Sequence, residues 1–106
     1  MITVTENAAA QIRGAARQGG MEGMALRIAA KRKPDGSIDY AMGFDDITDH
    51  DTRISAHGVD IVVTQTSAAL LENTVLDYVE LKPDGFEFIF MNPNDPGYVA
   101  PGNEPG

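Results

Sequence analysis

Asp45, Asp46, Asp49, His50 and Asp51 place four carboxylates and one imidazole within seven residues. Oxygen and imidazole donors at that density form a hard-donor set that could hold a divalent cation. The spacing lacks the central glycine and closing glutamate of an EF-hand loop, and a run of acid is more often a solvated surface. The second concentration of charge has the opposite sign: Lys31, Arg32 and Lys33 precede Asp35. On a chain of formal net charge −8, these cations could dock an acidic partner. Lysine beside a strand edge also blocks edge-to-edge pairing, so a purely protective role stands alongside docking.

No catalytic constellation emerges from the remaining polar residues. His57 precedes Gly58 with no sequence neighbour that suggests a dyad, and Ser37, Ser55 and Ser67 lack the Gly-x-Ser-x-Gly context of a nucleophile elbow. Gly19-Gly20 leads into a strand rather than a helix, which is wrong for a phosphate loop. The sequence therefore predicts a protein that is not an enzyme.

Composition narrows the choice further. The chain contains no cysteine, which excludes disulfides, thiolate nucleophiles, zinc–cysteine sites and cysteine-ligated clusters built from this chain alone. No cofactor is expected on that ground. A sequence pI near 4.4 repels polyanions, so neither nucleic acid nor an anionic membrane is an expected partner. The N-terminal MITVTENAAAQIRG lacks the basic-then-apolar build of a signal peptide, and no apolar run approaches the roughly 18 residues of a membrane span. A cytoplasmic location follows as the default expectation. With 106 residues, 42% of them hydrophobic, one core is expected.

The elements that must position these groups can be read from periodicity. Leu26, Ile28 and Ala30 alternate with Arg27, Ala29 and Lys31, and Ile38, Tyr40 and Met42 alternate with Asp39, Ala41 and Gly43. Two strands joined through Lys33-Pro34-Asp35-Gly36 follow, with Gly36 suited to positive φ. Thr5 is an N-cap candidate for a helix over 6–18, with Ala8, Ile12, Ala15 and Ala16 on one face and Gly19-Gly20 as the stop. Residues 53–56 and 59–64 read as strands around a His57-Gly58 turn. Thr66 is a candidate cap for a second helix of about two turns that turns Leu70 and Leu71 inward. A closing hairpin, 75–81 and 86–91, turns at Lys82-Pro83-Asp84-Gly85, a repeat of the first turn's tetrapeptide that reflects turn chemistry rather than duplication. Phe86, Phe88 and Phe90 alternate with Ile89 and Met91, which predicts a last strand buried on both sides. The sequence NPNDPGYVAPGNEPG holds four of the six prolines, and residues 95–106 read as a flexible tail following a domain over 1–94.

This order of elements, with Ala8-Ala9-Ala10, Leu26-Arg27-Ile28, Ala41-Met42-Gly43-Phe44, Gly58 through Val63, Leu76-Asp77-Tyr78-Val79, and Gly85-Phe86 through Asn92-Pro93-Asn94, resembles the HesB/IscA-like family of A-type iron–sulfur cluster carriers. The resemblance implies a mainly β fold, a HesB-like β-sandwich of two packed sheets with two short helices at the side. It also implies proteins of iron–sulfur cluster assembly as partners, and self-association into homo-oligomers. Typical members of the family hold iron or a cluster with one cysteine in the first hairpin loop and a Cys-x-Cys pair in the tail. Here Asp35 stands nearest the loop position and Tyr98-Val99-Ala100-Pro101-Gly102 occupies the tail position. Cluster iron takes soft thiolate donors, usually four per cluster, and one carboxylate cannot replace three thiolates. The resemblance thus predicts a divergent member, an accessory module that binds proteins and has lost the cluster ligands, with metal binding by the acidic loop as the alternative.

Overall fold

The computed structural model describes residues 2–95. Nine elements follow in order: β1 (Thr3–Val4), α1 (Glu6–Gly19), β2 (Ala25–Arg32), β3 (Ile38–Asp45), β4 (Thr52–Ala56), β5 (Val59–Val63), α2 (Gln65–Leu70), β6 (Val75–Lys82) and β7 (Gly85–Met91). The strands form a three-stranded sheet ordered β1-β6-β7 and a four-stranded sheet ordered β3-β2-β5-β4. Mainly β with two sheets and two flanking helices is the architecture expected from the sequence. The tail read over 95–106 lies outside the described residues apart from Asp95.

Alternation decides which face of each strand is buried. In β2, Leu26, Ile28 and Ala30 are buried, and register with β3 puts Ile38, Tyr40, Met42 and Phe44 on that same inner face. The inner strand β5 contributes Val59, Ile61 and Val63 to the core. Its remaining apolar residue, Val62, is fully buried on the opposite face, where its register neighbours are Arg27 and Arg53. Val4, Leu71 and Leu76 close the core from the other sheet and from α2. Each such side chain contributes about 1.5–3 kcal/mol by leaving water.

Local chemistry sets the helix ends. Thr5 Oγ1 accepts from the Ala8 N–H, and Gly20 closes α1 at φ 69°, as expected. The expected cap of α2 is corrected by two residues: Thr64, not Thr66, is extended and accepts from the Ser67 N–H. Thr66 lies inside the helix, because the strand that precedes it ends at Val63 and leaves Thr64 free to cap. Ser67 then turns inward. Its hydroxyl accepts from the Ala30 N–H at 3.1 Å and donates to the Ala30 carbonyl at 3.4 Å, covering β2 beyond the part paired with β5.

A second correction concerns β7. It is an edge strand, and Phe86 is 52% exposed while Phe88 and Phe90 are only half-buried. The opposing sheet reaches the Phe90 end, where Tyr40 stacks at a centroid distance of 4.2 Å, and leaves the Phe86 end open.

Candidate functional site

The tip of the first hairpin is built by ladder pairing up to Arg32 and Ile38. Between them the Lys33 N–H donates to the Ser37 carbonyl at 2.8 Å and the Gly36 N–H to the Lys33 carbonyl at 2.9 Å. Gly36 sits at φ 91°, where a Cβ would be strained. Asp35 does not project as a free donor: its Oδ1 accepts from the Ser37 N–H at 3.0 Å and the Ser37 hydroxyl at 2.6 Å. Those hydrogen bonds hold the Asp35 carboxyl below its usual range. Arg32 donates to the Gly36 carbonyl and, at 3.4 Å, to the Asn94 carbonyl. Lys33 lies 3.5 Å from Asp39 in an exposed pair, and Lys31 is Asp39's cross-strand partner. The structure thus brings Lys31, Arg32, Lys33 and Asp35 together at one exposed tip.

Beside the tip lies a polar clamp that sequence reasoning missed. Asn92 is fully buried, and its Nδ2 donates to the Leu70 carbonyl at 2.8 Å and to the Tyr40 hydroxyl at 3.1 Å. Its Oδ1 accepts from the Asn94 N–H at 2.9 Å, and Asn94 Nδ2 donates to the Glu72 carbonyl at 2.9 Å. Partial burial raises the Tyr40 hydroxyl above its ordinary pKa, with Asp95 3.3 Å away adding to the shift. The root of the C-terminal tail is therefore fixed against the first hairpin and the end of α2. Its one visible signal in the sequence was an asparagine directly after the last apolar strand.

The five acidic-loop candidates are not brought to a common centre. Arg27, on the outer face of β2, takes two of them. Its Nε donates to Asp45 at 2.7 Å, and its two Nη atoms grip both oxygens of Asp51 at 2.7 Å each. Asp51, its side chain 3% exposed, also accepts from the Thr48 N–H at 2.9 Å. The guanidinium holds both carboxyls below the usual range, Asp51 most strongly. Asp46, Asp49 and His50 remain on the surface, with the Asp46 carbonyl accepting from Arg27 at 3.2 Å. Among the described residues no three His, Asp or Glu side chains converge as a set of metal ligands. The signal for Arg27 was its place opposite Gly43 across the ladder, a position whose reach cannot be seen in one strand.

His57 and Gly58 make the expected tight turn at φ 50° and 80°, and Arg13 donates to the His57 carbonyl. Among the described residues the imidazole has no dyad partner, and the neighbouring Ser55 hydroxyl donates to Asp60 at 2.7 Å.

The family model for iron–sulphur cluster biosynthesis matches residues 1–97. The chain belongs to that family. A Bacillus subtilis protein named SufA is 30% identical over 94 residues, covering 88% of this chain and 78% of its own. A putative iron–sulfur cluster insertion protein, ErpA of Delftia acidovorans, is also 30% identical over 94 residues, covering 88% of this chain and 75% of the relative. The crystal structure of IscA with a [2Fe-2S] cluster superposes with a TM-score of 0.73 at 26% identity, covering 88% of this chain and 86% of that one.

The donors present do not fit a thiolate-held cluster. The hairpin tip of this family member offers one carboxylate already bonded to Ser37 and three cations, and the whole chain has no cysteine. Cations repel iron, and a lone hard carboxylate does not replace soft thiolates.

Proposed function

We propose that this family member is a non-catalytic, cytoplasmic accessory module of iron–sulfur cluster assembly, which binds partner proteins and ligates no cluster through its own side chains. The observation that carries the reading is a family scaffold whose hairpin tip presents Lys31, Lys33 and an internally bonded Asp35 on a chain without cysteine. Cations exposed on an acidic protein favour an acidic partner surface by local complementarity. The alternative of a cation on the acidic loop is weakened because Arg27 already engages both oxygens of Asp51 and one of Asp45.

Iron, acid-labile sulfide and the visible spectrum of protein purified without oxygen from iron-supplemented cells test the chemical half. A colourless, metal-free chain is expected, and near-stoichiometric iron with sulfide would overturn it. Calorimetric titration against cluster-assembly proteins tests the binding half. Lys31→Glu with Lys33→Glu is expected to lower affinity about tenfold, with a smaller difference at high salt. Equal affinity of the wild type and the double variant would remove the tip as the contact.

A further inference from the structure

The two Lys-Pro-Asp-Gly turns set the same reactive pair, an aspartyl carboxyl followed by a glycine N–H, in two different surroundings. Aspartate before glycine is prone to ring closure, because glycine has no side chain to shield its nitrogen from the carboxyl carbon. Both aspartates are exposed. Their carboxyls differ in what holds them. Asp35 Oδ1 accepts from the Ser37 N–H at 3.0 Å and from the Ser37 hydroxyl at 2.6 Å, which carries the carboxyl past Gly36. Among the described residues no hydrogen bond or ion pair reaches the Asp84 carboxyl; only its N–H is held, donating to Glu80 at 3.2 Å.

We propose that Asp84–Gly85 is a site of spontaneous isoaspartate formation, and that Ser37 protects Asp35–Gly36 from the same reaction. The inference is independent of the accessory role. The Gly85 nitrogen attacks the carbon of the neutral Asp84 carboxyl, the nitrogen's proton and the carboxyl hydroxyl leave as water, and a five-membered succinimide forms. Water then opens the ring at either carbonyl. Opening at the former side-chain carbonyl restores aspartate. Opening at the former backbone carbonyl routes the main chain through the side chain, with no net change in mass.

Asp35 resists closure in two ways. Forming its ring breaks both bonds to Ser37, and those bonds hold the carboxyl below its usual range, so the neutral acid that the nitrogen attacks is scarcer. Asp84 has neither restraint. It also holds φ at 59°, a left-handed backbone that strains a residue with a Cβ, whereas the first turn gives its positive φ to Gly36. Leaving that conformation relieves strain at Asp84. The fold tolerates the product as well. Isoaspartate lengthens the backbone by one methylene, which the two-residue loop between the paired Lys82 and Gly85 cannot absorb. That pair opens beside Leu81 and Phe86, which are exposed and outside the core. The hairpin end then bears a branching α-carboxylate, the group that an isoaspartyl carboxyl methyltransferase esterifies.

The full wild-type chain carries its own control. Folded protein is held at physiological temperature and mildly acidic pH and then digested. The peptides spanning 33–36 and 82–85 are read by electron-transfer fragmentation, which separates isoaspartate from aspartate. Several-fold more isoaspartate is expected at 84 than at 35. In urea the two sites should converge, since the tetrapeptide is the same. Ser37→Ala, its fold checked by circular dichroism, should bring Asp35 up to the level of Asp84; the wild-type comparison needs no variant. Isoaspartate at 35 equal to or above that at 84 in the folded wild type, none at 84 where urea produces it, or a folded Ser37→Ala with Asp35 as slow as before would each overturn the proposal.

Discussion

The two hairpins, β2–β3 and β6–β7, turn on the same tetrapeptide, Lys-Pro-Asp-Gly, and fold it in different ways. In the first, residues 33–37 lie between the paired Arg32 and Ile38, and Gly36 takes the positive φ of 91°. In the second, Lys82 pairs directly with Gly85 after a ladder irregularity between Glu80 and Lys82, and Asp84 takes the positive φ at 59°. Identical turn residues therefore do not choose the loop; the flanks do. Ser37 supplies the hydroxyl and N–H that satisfy Asp35, whereas Asp84 leans on Glu80, whose carboxylate accepts its N–H at 3.2 Å. The larger contrast lies outside the tips. The first hairpin is tied at both ends, by the Tyr40–Asn92 clamp and by Arg27 with Asp45 and Asp51. The second ends in exposed Leu81 and Phe86.

The contrast predicts unequal responses to truncation. Asn92→Ala removes donors to Tyr40 and Leu70 and the acceptor for Asn94, leaving buried polar groups short of partners. A loss of about 2–3 kcal/mol in urea unfolding is expected. Phe86→Ala, at the open end, should lose less than about 1 kcal/mol. Equal losses would show that the clamp contributes no more than the loose end. The glycines sharpen the comparison at smaller scale. Gly36→Ala must place a Cβ at φ 91°, which costs about 1–2 kcal/mol, partly offset by about 0.4–1 kcal/mol from the stiffer unfolded chain. Gly85 is not in that region, and an added Cβ would meet the movable Lys82 Cγ at 3.1 Å. Gly85→Ala should stay within about 0.5 kcal/mol of wild type. The reverse order would mean that Gly36 relaxes out of its turn without penalty.

The same contrast explains what the sequence made legible. Strand periodicity placed Leu26, Ile28 and Ala30 in the core, and Thr5 and Gly20 marked the ends of α1, because those signals are local. Asn92 was opaque because its partners, Tyr40 and Leu70, lie 52 and 22 residues away. Asp51 looked like one more solvated carboxylate, since only the ladder register reveals that Arg27 stands beneath the loop. Phe86 was misplaced for a related reason: alternation reports which face a residue joins, not whether the opposing sheet extends far enough to cover it. The candidate site was legible as a charged tip, and its lack of thiolates was plain from composition. The internal bonding of Asp35 to Ser37 needed coordinates.

Acid titration gives the subtlest way to separate the two hairpins. Asp51 and Asp45 are held below the usual carboxyl range by Arg27, so each releases its proton more readily folded than unfolded. Below the unfolded value of about 3.9 the unfolded chain binds more protons, and stability falls as pH drops towards the folded values. Above about pH 5 the contribution is complete and flat. The urea midpoint of the wild type should therefore hold steady from pH 7 to about 5 and decline below about 4. Asp51→Asn should lower the midpoint at pH 7 and flatten the decline, because the carboxyl gripped at 2.7 Å by both Nη atoms is then absent from both states. Phe86→Ser, at the open end of the second hairpin, should reproduce the wild-type slope. Parallel slopes for wild type and Asp51→Asn would mean that Arg27 fixes the loop by shape alone, with Asp51 protonating alike in the folded and unfolded chain.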